Sequence, residues 1–569
     1  MNYFFILSPD INKIVGLAFK AMKVSRQFLL LALTVCLINI SMPNLVKAAA
    51  GDLDLTFGMG GKLAARFSDS PQFFASARDV ITQPDGKILI GATTSVGATF
   101  DFGIARYYPD GTPDTSFGIG GKVITDFNLN AGFDDQELRQ LLLQPDGKIL
   151  AVGADQNRSF LQESRFAIVR YHPDGSLDSS FGAGGKVTTG FFGGFGGYGT
   201  AMNVVIQADG KIVVAGFSIN GLTYFILVRY NINGTLDTSF GSGGKVLNTF
   251  GNGGPNAEGA QAYDVKLRPN GKIVASGAAY SPTNSHLSFV VAQFNPDGSR
   301  DTSFGNGGFS LIQIAYADRV RSMALLPDGK ILLAGQSNNL TTLQTNLALA
   351  RCNADGTLDQ TFGVGGIIPT FPVQGLEPVE MVVQPNKKIV IAVFPFGGPE
   401  SNFTLMRCHE DGSLDGSFGS GGVVSTDFFG AEDITTTVAL QEDGKIIAAG
   451  SVYDSLNNRY YFGLARYHGD PIDADVCLQD DTSGNLLKFH STTGTYQFTR
   501  CGGATLGGTG TVIKRGCIIM LEVNTNGRRI NAKVDTCQNK GTASVQLFSP
   551  NMMFTISDRN TANNACVCP

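Results

Sequence analysis

One polar residue recurs at a fixed place along residues 51–469, four positions before a turn landmark that begins at Gln83, Gln144, Gln207, Arg268, Leu326, Gln384 and Gln441. The residues in this register are Asp79, Gln140, Asn203, Asp264, Ser322, Glu380 and Thr437. If the register faces a central channel it forms a mixed polar ring. In such a ring Asp79, Asp264 and Glu380 would offer hard oxygen ligands to a divalent metal, which could polarise a substrate or activate water. The plainer reading is that a channel is wet and its wall polar without any ligand.

A second carboxylate pattern repeats nearby. Asp174-Gly175-Ser176-Leu177-Asp178 places two acids around a glycine, as calcium loops do, but it supplies too few oxygens for one. Asx-turns and hairpin capping account for Asp at both positions. His172, His409 and His468 share a repeat position with Tyr108, Asn231, Asn295 and Asn353, so they read as turn residues and not as metal ligands. No Gly-x-Ser-x-Gly elbow, phosphate loop or paired Cys-His arrangement suggests nucleophilic catalysis. No cofactor is expected, and a non-enzymatic role is favoured over an enzymatic one.

These residues sit in a repeat whose elements must position them. A Phe-Gly pair recurs at Phe57, Phe117, Phe181, Phe240, Phe304, Phe362 and Phe418, in steps of 56 to 64 residues. An apolar strand ending in Arg-Tyr or a relative closes at Arg106, Arg170, Arg229, Gln293, Arg351, Arg407 and Arg466. Within one unit, apolar Leu138 to Gln144 and Lys148 to Gly153 flank Pro-Asp-Gly, the chemistry of a hairpin turn. Phe166 to Tyr171 reads as a third strand and Gly185 to Thr188 as a fourth, giving a four-stranded antiparallel meander. The expectation is an all-β, seven-bladed β-propeller over residues 51–469, which leaves only short protected sheet edges.

The chain ends bear on closure. The first unit begins at its Phe-Gly segment, and the last stops after Arg466-Tyr467. The segment from Gly61 to Phe67 is therefore expected to complete the last sheet. Spacing also separates two faces. The landmark residue and its following Lys are always 4 apart, and the Arg position precedes the next Phe-Gly by 11 wherever one follows. By contrast, Phe-Gly to the next landmark varies from 22 to 28 residues. One face is uniform and the other irregular, and loops on a rigid scaffold usually carry function.

Outside the repeats, residues 1–50 read as a signal peptide region. Lys20, Lys23 and Arg26 precede an apolar run from Phe28 to Ile40, small residues follow at Ala48 to Ala50, and Met22 is a possible internal start. The expected protein is exported to the cell surface, periplasm or exterior, with no membrane span in the mature chain. Residues 470–476 read as a linker. Residues 477–569 carry Cys477, Cys501, Cys517, Cys537, Cys566 and Cys568 among alternating strands, which suggests a small disulfide-linked, β-rich C-terminal domain. Cys352 and Cys408 occupy equivalent repeat positions and are expected to be buried thiols. With a net charge of −5 and no basic stripe, nucleic acid is not an expected partner.

The strings Gln-Pro-Asp-Gly-Lys-Ile-Leu from Gln144, Arg-Tyr-His-Pro-Asp-Gly-Ser-Leu-Asp-Ser-Ser-Phe-Gly from Arg170 and Gly-Gly-Lys-Val from Gly184 resemble the bacterial delta-60 repeat family. That resemblance implies a propeller in an exported or surface protein and adds little chemistry. Two departures stand out: Asn386-Lys387-Lys388 replaces Asp-Gly-Lys in copy six, and Gln293-Phe294 replaces Arg-Tyr in copy four. The leading expectation is a monomeric, non-catalytic binding or scaffolding protein that presents its irregular loop face to a protein, glycan or matrix partner. The alternatives are a metal-assisted hydrolase or lyase acting at the channel, and a surface adhesion or structural component.

Overall fold

The computed structural model describes residues 48–470 outside short loop stretches (69–73, 97–98, 128–133, 158–162, 193–196, 251–258, 285, 340–343, 370, 372–375 and 396–400); beyond residue 470 it describes strands alone. Every regular element described is a strand, and no described helix is long and apolar enough to cross a membrane. The first is β1 (Lys62–Ala65), followed by β2 (Ala75–Thr82), β3 (Ile88–Val96), β4 (Thr99–Tyr107) and β5 (Lys122–Thr125). Strands β2 to β5 form one antiparallel sheet in chain order. The same order recurs in the units that open at Asp134, Tyr198, Ala260, Ala317 and Leu376. A single parallel bridge, Leu287 to Ala317, joins two of these units.

The turn chemistry works as the sequence suggests. The Gln83 N–H donates to the Lys87 carbonyl and the Gly86 N–H to the Gln83 carbonyl, while Gly86 takes φ 82°. Each first strand then carries a bulge where the register slips by one, at Arg78 between Ala77 and Asp79, and at Arg139 between Leu138 and Gln140. The bulge brings backbone close to the second strand. A Cβ at Gly153 would lie 1.9 Å from the Glu137 carbonyl oxygen, which accounts for glycine there.

Apolar clusters fill the spaces between neighbouring sheets. Phe102, Ile104 and Phe117 of the first unit pack with Leu141, Ile149 and Tyr171 of the next. The packing continues across the chain ends, where Ile447, Phe462 and Leu464 meet Val80, Ile90 and Ala105. The last sheet consists of Asp433–Leu440, Ile446–Asp454 and Arg459–Tyr467, completed by β1, with Lys62 opposite Ala465 and Ala65 opposite Phe462. The expected N-terminal strand is therefore found, as residues 62–65.

Beyond residue 470, Asp475–Gln479, Leu486–His490, Thr495–Thr499 and Thr505–Thr509 form one antiparallel sheet, and five strands from Thr511–Arg515 to Met552–Ile556 form another. Cys477 lies in the first of these strands; Cys501, Cys517, Cys537, Cys566 and Cys568 lie outside the described residues, as does the signal region through residue 47. Cys352 and Cys408 are buried free thiols.

Candidate functional site

The first strands of the units surround one cavity of about 160 Å³, lined by Asp79, Gln140, Asn203, Asp264, Ser322 and Glu380. The polar register thus reaches a common channel, yet its members spend their hydrogen bonds on neighbouring sheets. Asp79 Oδ2 accepts from the Leu141 N–H at 2.7 Å, Gln140 Oε1 from Val204 at 2.8 Å, and Asp264 Oδ2 from Met323 at 2.7 Å. Ser322 Oγ accepts from Met381 and Glu380 Oε2 from Val438, both at 3.2 Å. Asn203 Nδ2 donates to Asp264 Oδ1 at 2.6 Å. The Thr437 hydroxyl meets Glu380 Oε2 at 2.5 Å and lies 3.4 Å from Asp79 Oδ1. These bonds run from unit to unit and return from the last sheet to the first.

The three carboxylates expected as metal ligands are therefore placed at the channel but occupied differently. Asp79 and Asp264 each satisfy a bulged strand, Asp264 also takes the Lys266 ammonium at 2.7 Å, and Glu380 shares Thr437 with Asp79. Among the described residues no three His, Cys, Asp or Glu side chains are grouped to hold a metal ion. Burial pushes the Asp79 carboxyl up, and burial together with the Asp79 charge pushes Glu380 up.

Sequence reasoning missed the residue just before each ring position. The bulge turns it into the same cavity, where Arg78, Arg139, Tyr263 and Arg321 line the wall beside Met202, Val379 and Thr436. A signal was present: Arg78-Asp79, Arg139-Gln140 and Arg321-Ser322 put two polar residues in succession, which breaks the alternation of a half-buried strand.

The repeated Asp and Arg residues belong to the uniform face and do structural work. Arg106 Nε meets Asp114 Oδ2 at 2.7 Å, Lys87 Nζ joins at 3.3 Å, and the guanidinium lies 4.6 Å from the Phe117 ring centroid. Its Nη1 donates to the Pro173 carbonyl of the next unit. Burial alone would raise Asp114, but the Ser116 hydrogen bonds, Arg106 and Lys87 outweigh it and hold the carboxyl well below the usual range. The ion pair recurs at Arg170–Asp178, Arg229–Asp237, Arg351–Asp359 and Arg407–Asp415. In the last sheet Arg466 Nε meets Asp54 of the N-terminal segment at 2.9 Å and Nη1 reaches the Pro109 carbonyl of the first unit.

The calcium-like pattern resolves into the same scheme. Asp174 Oδ1 accepts from the Ser176 N–H and hydroxyl, and Asp178 from Ser180, Arg170 and Lys148. His172, His409 and His468 lie 3.8 to 3.9 Å from Asp178, Asp415 and Asp54, on the turns.

Both departures from the repeat have physical explanations. In copy four Arg and Gln exchange places. Arg268 Nε donates to Gln293 Oε1 at 2.5 Å, Gln293 Nε2 donates to Asp301 at 2.6 Å, and Arg268 reaches the Gly329 and Ala354 carbonyls of the next unit. In copy six Asn386 Nδ2 donates to Asp470 at 2.7 Å, while Lys388 and Arg407 pair with the same carboxylate at 2.8 and 3.2 Å.

Six stretches, 83–117, 144–181, 207–240, 268–304, 326–362 and 441–470, match a family described as "domain of unknown function (DUF5122) beta-propeller". Each but the last runs from the turn landmark to the Phe-Gly position, and copy six with its altered turn falls outside them. No curated protein matches the chain. Among solved structures, a protein of unknown function from Dyadobacter fermentans is similar at 11% identity, over 72% of this chain and 99% of that one, with a TM-score of 0.35. A mutant α-L-arabinofuranosidase from Fusarium graminearum, in complex with an iminosugar inhibitor, is similar at 11% over 72% and 98%, with a TM-score of 0.37. Virginiamycin B lyase from Staphylococcus aureus is similar at 8% over 56% and 90%, with a TM-score of 0.23. At such scores the architecture rests on the chain's own sheets and repeats. Those sheets and the matched repeats make this chain a β-propeller repeat protein, similar in its repeats to the DUF5122 β-propeller family.

Proposed function

We propose that this chain is an exported, non-catalytic binding or scaffolding protein: a seven-bladed propeller over residues 51–469 that presents its irregular face to a glycan, protein or matrix partner, with a disulfide-linked module at 477–569. The observation that carries the reading is an aromatic cluster on that face where the last sheet meets the first. Phe74 lies 5.3 Å from Tyr460 and 5.8 Å from Phe100, and Tyr460 lies 4.7 Å from Tyr453. Tyr460 is 36% exposed, Phe429 38%, and Leu456 at the adjoining hairpin tip 92%. Rigid aromatic rings with polar tips supply contact area at low entropic cost, for sugar faces and for protein side chains alike. The unit-to-unit bonding of the channel carboxylates favours this reading over a channel hydrolase or lyase, because it commits at least one oxygen of each to the scaffold.

Binding of the purified protein to a panel of glycans and matrix proteins tests this reading. At least one is expected to bind, and the double substitution Tyr453→Ala, Tyr460→Ala is expected to weaken it about tenfold, the scale of one lost aromatic anchor. Unchanged binding in that variant would sink the aromatic site. Elemental mass spectrometry before and after chelation addresses the alternative: a stoichiometric divalent ion lost on Asp264→Ala would restore the metal-assisted enzyme.

A further inference from the structure

The bulge residues give the channel a chemistry distinct from the ring beneath them. Arg78 Nη2 lies 3.1 Å from Glu137 Oε1, and Arg139 Nη2 lies 2.7 Å from Glu137 Oε2, so a single carboxylate serves two guanidinium groups. The Arg139 Nε atom is buried and has no hydrogen-bond partner. Across the same cavity Arg321 Nη2 donates to Gln336 Oε1 at 3.1 Å and its guanidinium stands 5.2 Å from the Tyr263 ring centroid; both contacts orient it. Lys266 and Asp264 balance each other as a pair.

Two guanidinium groups share the Glu137 carboxylate, so neither has a carboxylate to itself. A partly desolvated guanidinium is stabilised by an oxyanion that takes two of its N–H groups at once. A buried Nε–H without an acceptor adds an unmet donor, which costs free energy until something accepts from it. Burial, with Arg139 as like-charged neighbour, lowers the Arg78 pKa from its ordinary value against the opposing pull of Glu137. Burial and the Asp79 charge push the Glu380 carboxyl up, which lessens the negative charge that the lining acids set against an anion.

We propose that the channel cavity binds a small oxyanion, a carboxylate, sulfate or phosphate group, held by Arg78 and Arg139 on one side and Arg321 on the other. The cavity of about 160 Å³ admits a compact anion or the charged end of a longer ligand. Arg78 and Glu137 also line a neighbouring pocket with Phe74 and Phe100 of the aromatic face, whereas Arg139 and Arg321 belong to the channel cavity and Tyr453 and Tyr460 line neither, so variants at these positions tell the two sites apart.

Isothermal titration of the mature protein with inorganic phosphate, sulfate and citrate, at constant ionic strength set with chloride, tests the site. Saturable binding of at least one is expected, weakened tenfold or more in Arg139→Gln and in Arg78→Gln. Glu137→Gln removes the competing carboxylate and is expected to tighten binding at least threefold. Lys387→Gln, on an exposed turn of the uniform face, is expected to leave binding unchanged. Absence of saturable binding by all three anions would overturn the proposal, as would affinities within twofold of wild type in both arginine variants. If circular dichroism shows that the arginine variants do not fold, Glu137→Gln decides: equal or weaker binding overturns the site.

Discussion

Lys387 occupies a backbone position that glycine fills at the corresponding turns. Its φ is 67°, where Gly86 and Gly147 stand at 82°. A side chain in this left-handed region costs about 1 kcal/mol. The exposed Lys387–Glu410 ion pair offsets little of that. Lys387→Gly should therefore raise the urea midpoint, by a stability gain of about 1 kcal/mol, without altering the m-value. The exchanged pair in copy four gives a sharper test. Arg268→Gln removes a charged donor from the Gly329 and Ala354 carbonyls and should cost about 1–3 kcal/mol. Adding Gln293→Arg restores the arrangement of the other units, so the double variant should recover much of the loss. A double-mutant cycle showing simple additivity would contradict the exchange. Cys352 and Cys408 make a third case: burial pushes both thiols up to about 12, so neither should react with a disulfide reagent until the protein is unfolded.

At the scale of elements, two populations of carboxylates respond to pH in opposite senses. Asp54, Asp114, Asp178, Asp237, Asp301, Asp359 and Asp415 are held below their ordinary value of 3.8 by hydroxyl and backbone donors and by Arg or Lys, against the effect of burial. Each binds its proton more weakly when folded. Their stabilisation is complete well above that value and is lost progressively as the pH falls below it towards the lowered folded values. Asp101 and Asp433 behave in reverse. Burial, with neighbouring Asp126 and Asp135 for Asp101 and Asp427 for Asp433, pushes both up to about 7. They bind protons more tightly when folded, so stability declines as pH rises from the ordinary value of 3.8 through about 7. The melting temperature should peak at about pH 4–5. Asp101→Asn should flatten the decline on the alkaline side of the peak, and Asp114→Asn should shrink the fall on its acid side.

For the whole molecule, the decisive contacts join the two ends of residues 49–468. The Gly51 N–H donates to the His468 carbonyl, the His468 N–H to Asp52, and the Gly419 N–H to Ala50, so a short N-terminal segment stands in for a turn the last unit lacks. Asp54 then serves Arg466 and Lys445 as Asp114 serves Arg106 and Lys87. Asp54→Ala leaves the buried Arg466 without its counter-charge and should cost about 3–5 kcal/mol, the scale of breaking a buried ion pair. Deleting residues 49–65 removes β1 as well and should open the array, read as a larger radius of gyration by X-ray scattering. A compact truncated protein would show that the ring does not depend on this clasp.

Most of the architecture was legible because each repeat carries its own instructions. Pro-Asp-Gly sets the first turn, Arg106 and Asp114 stand at fixed spacing on the uniform face, and Phe117 falls where the next sheet needs filling. The polar register at Asp79 and its equivalents could likewise be placed at a channel from spacing alone. What those side chains do there could not be read, because their partners lie 57 to 64 residues away, or 358 across the closure, and only assembled sheets bring them within reach. The arginine wall is legible least of all: a bulge of one residue rotates Arg78, Arg139 and Arg321 into the cavity, and a one-residue change of register decides which face of a strand a side chain occupies. Local sequence thus determined the strands, turns and repeat, since these depend on residues close along the chain. The tertiary structure alone decided that the channel acids act as staples and that guanidinium groups line the wall, since both follow from contacts between sheets.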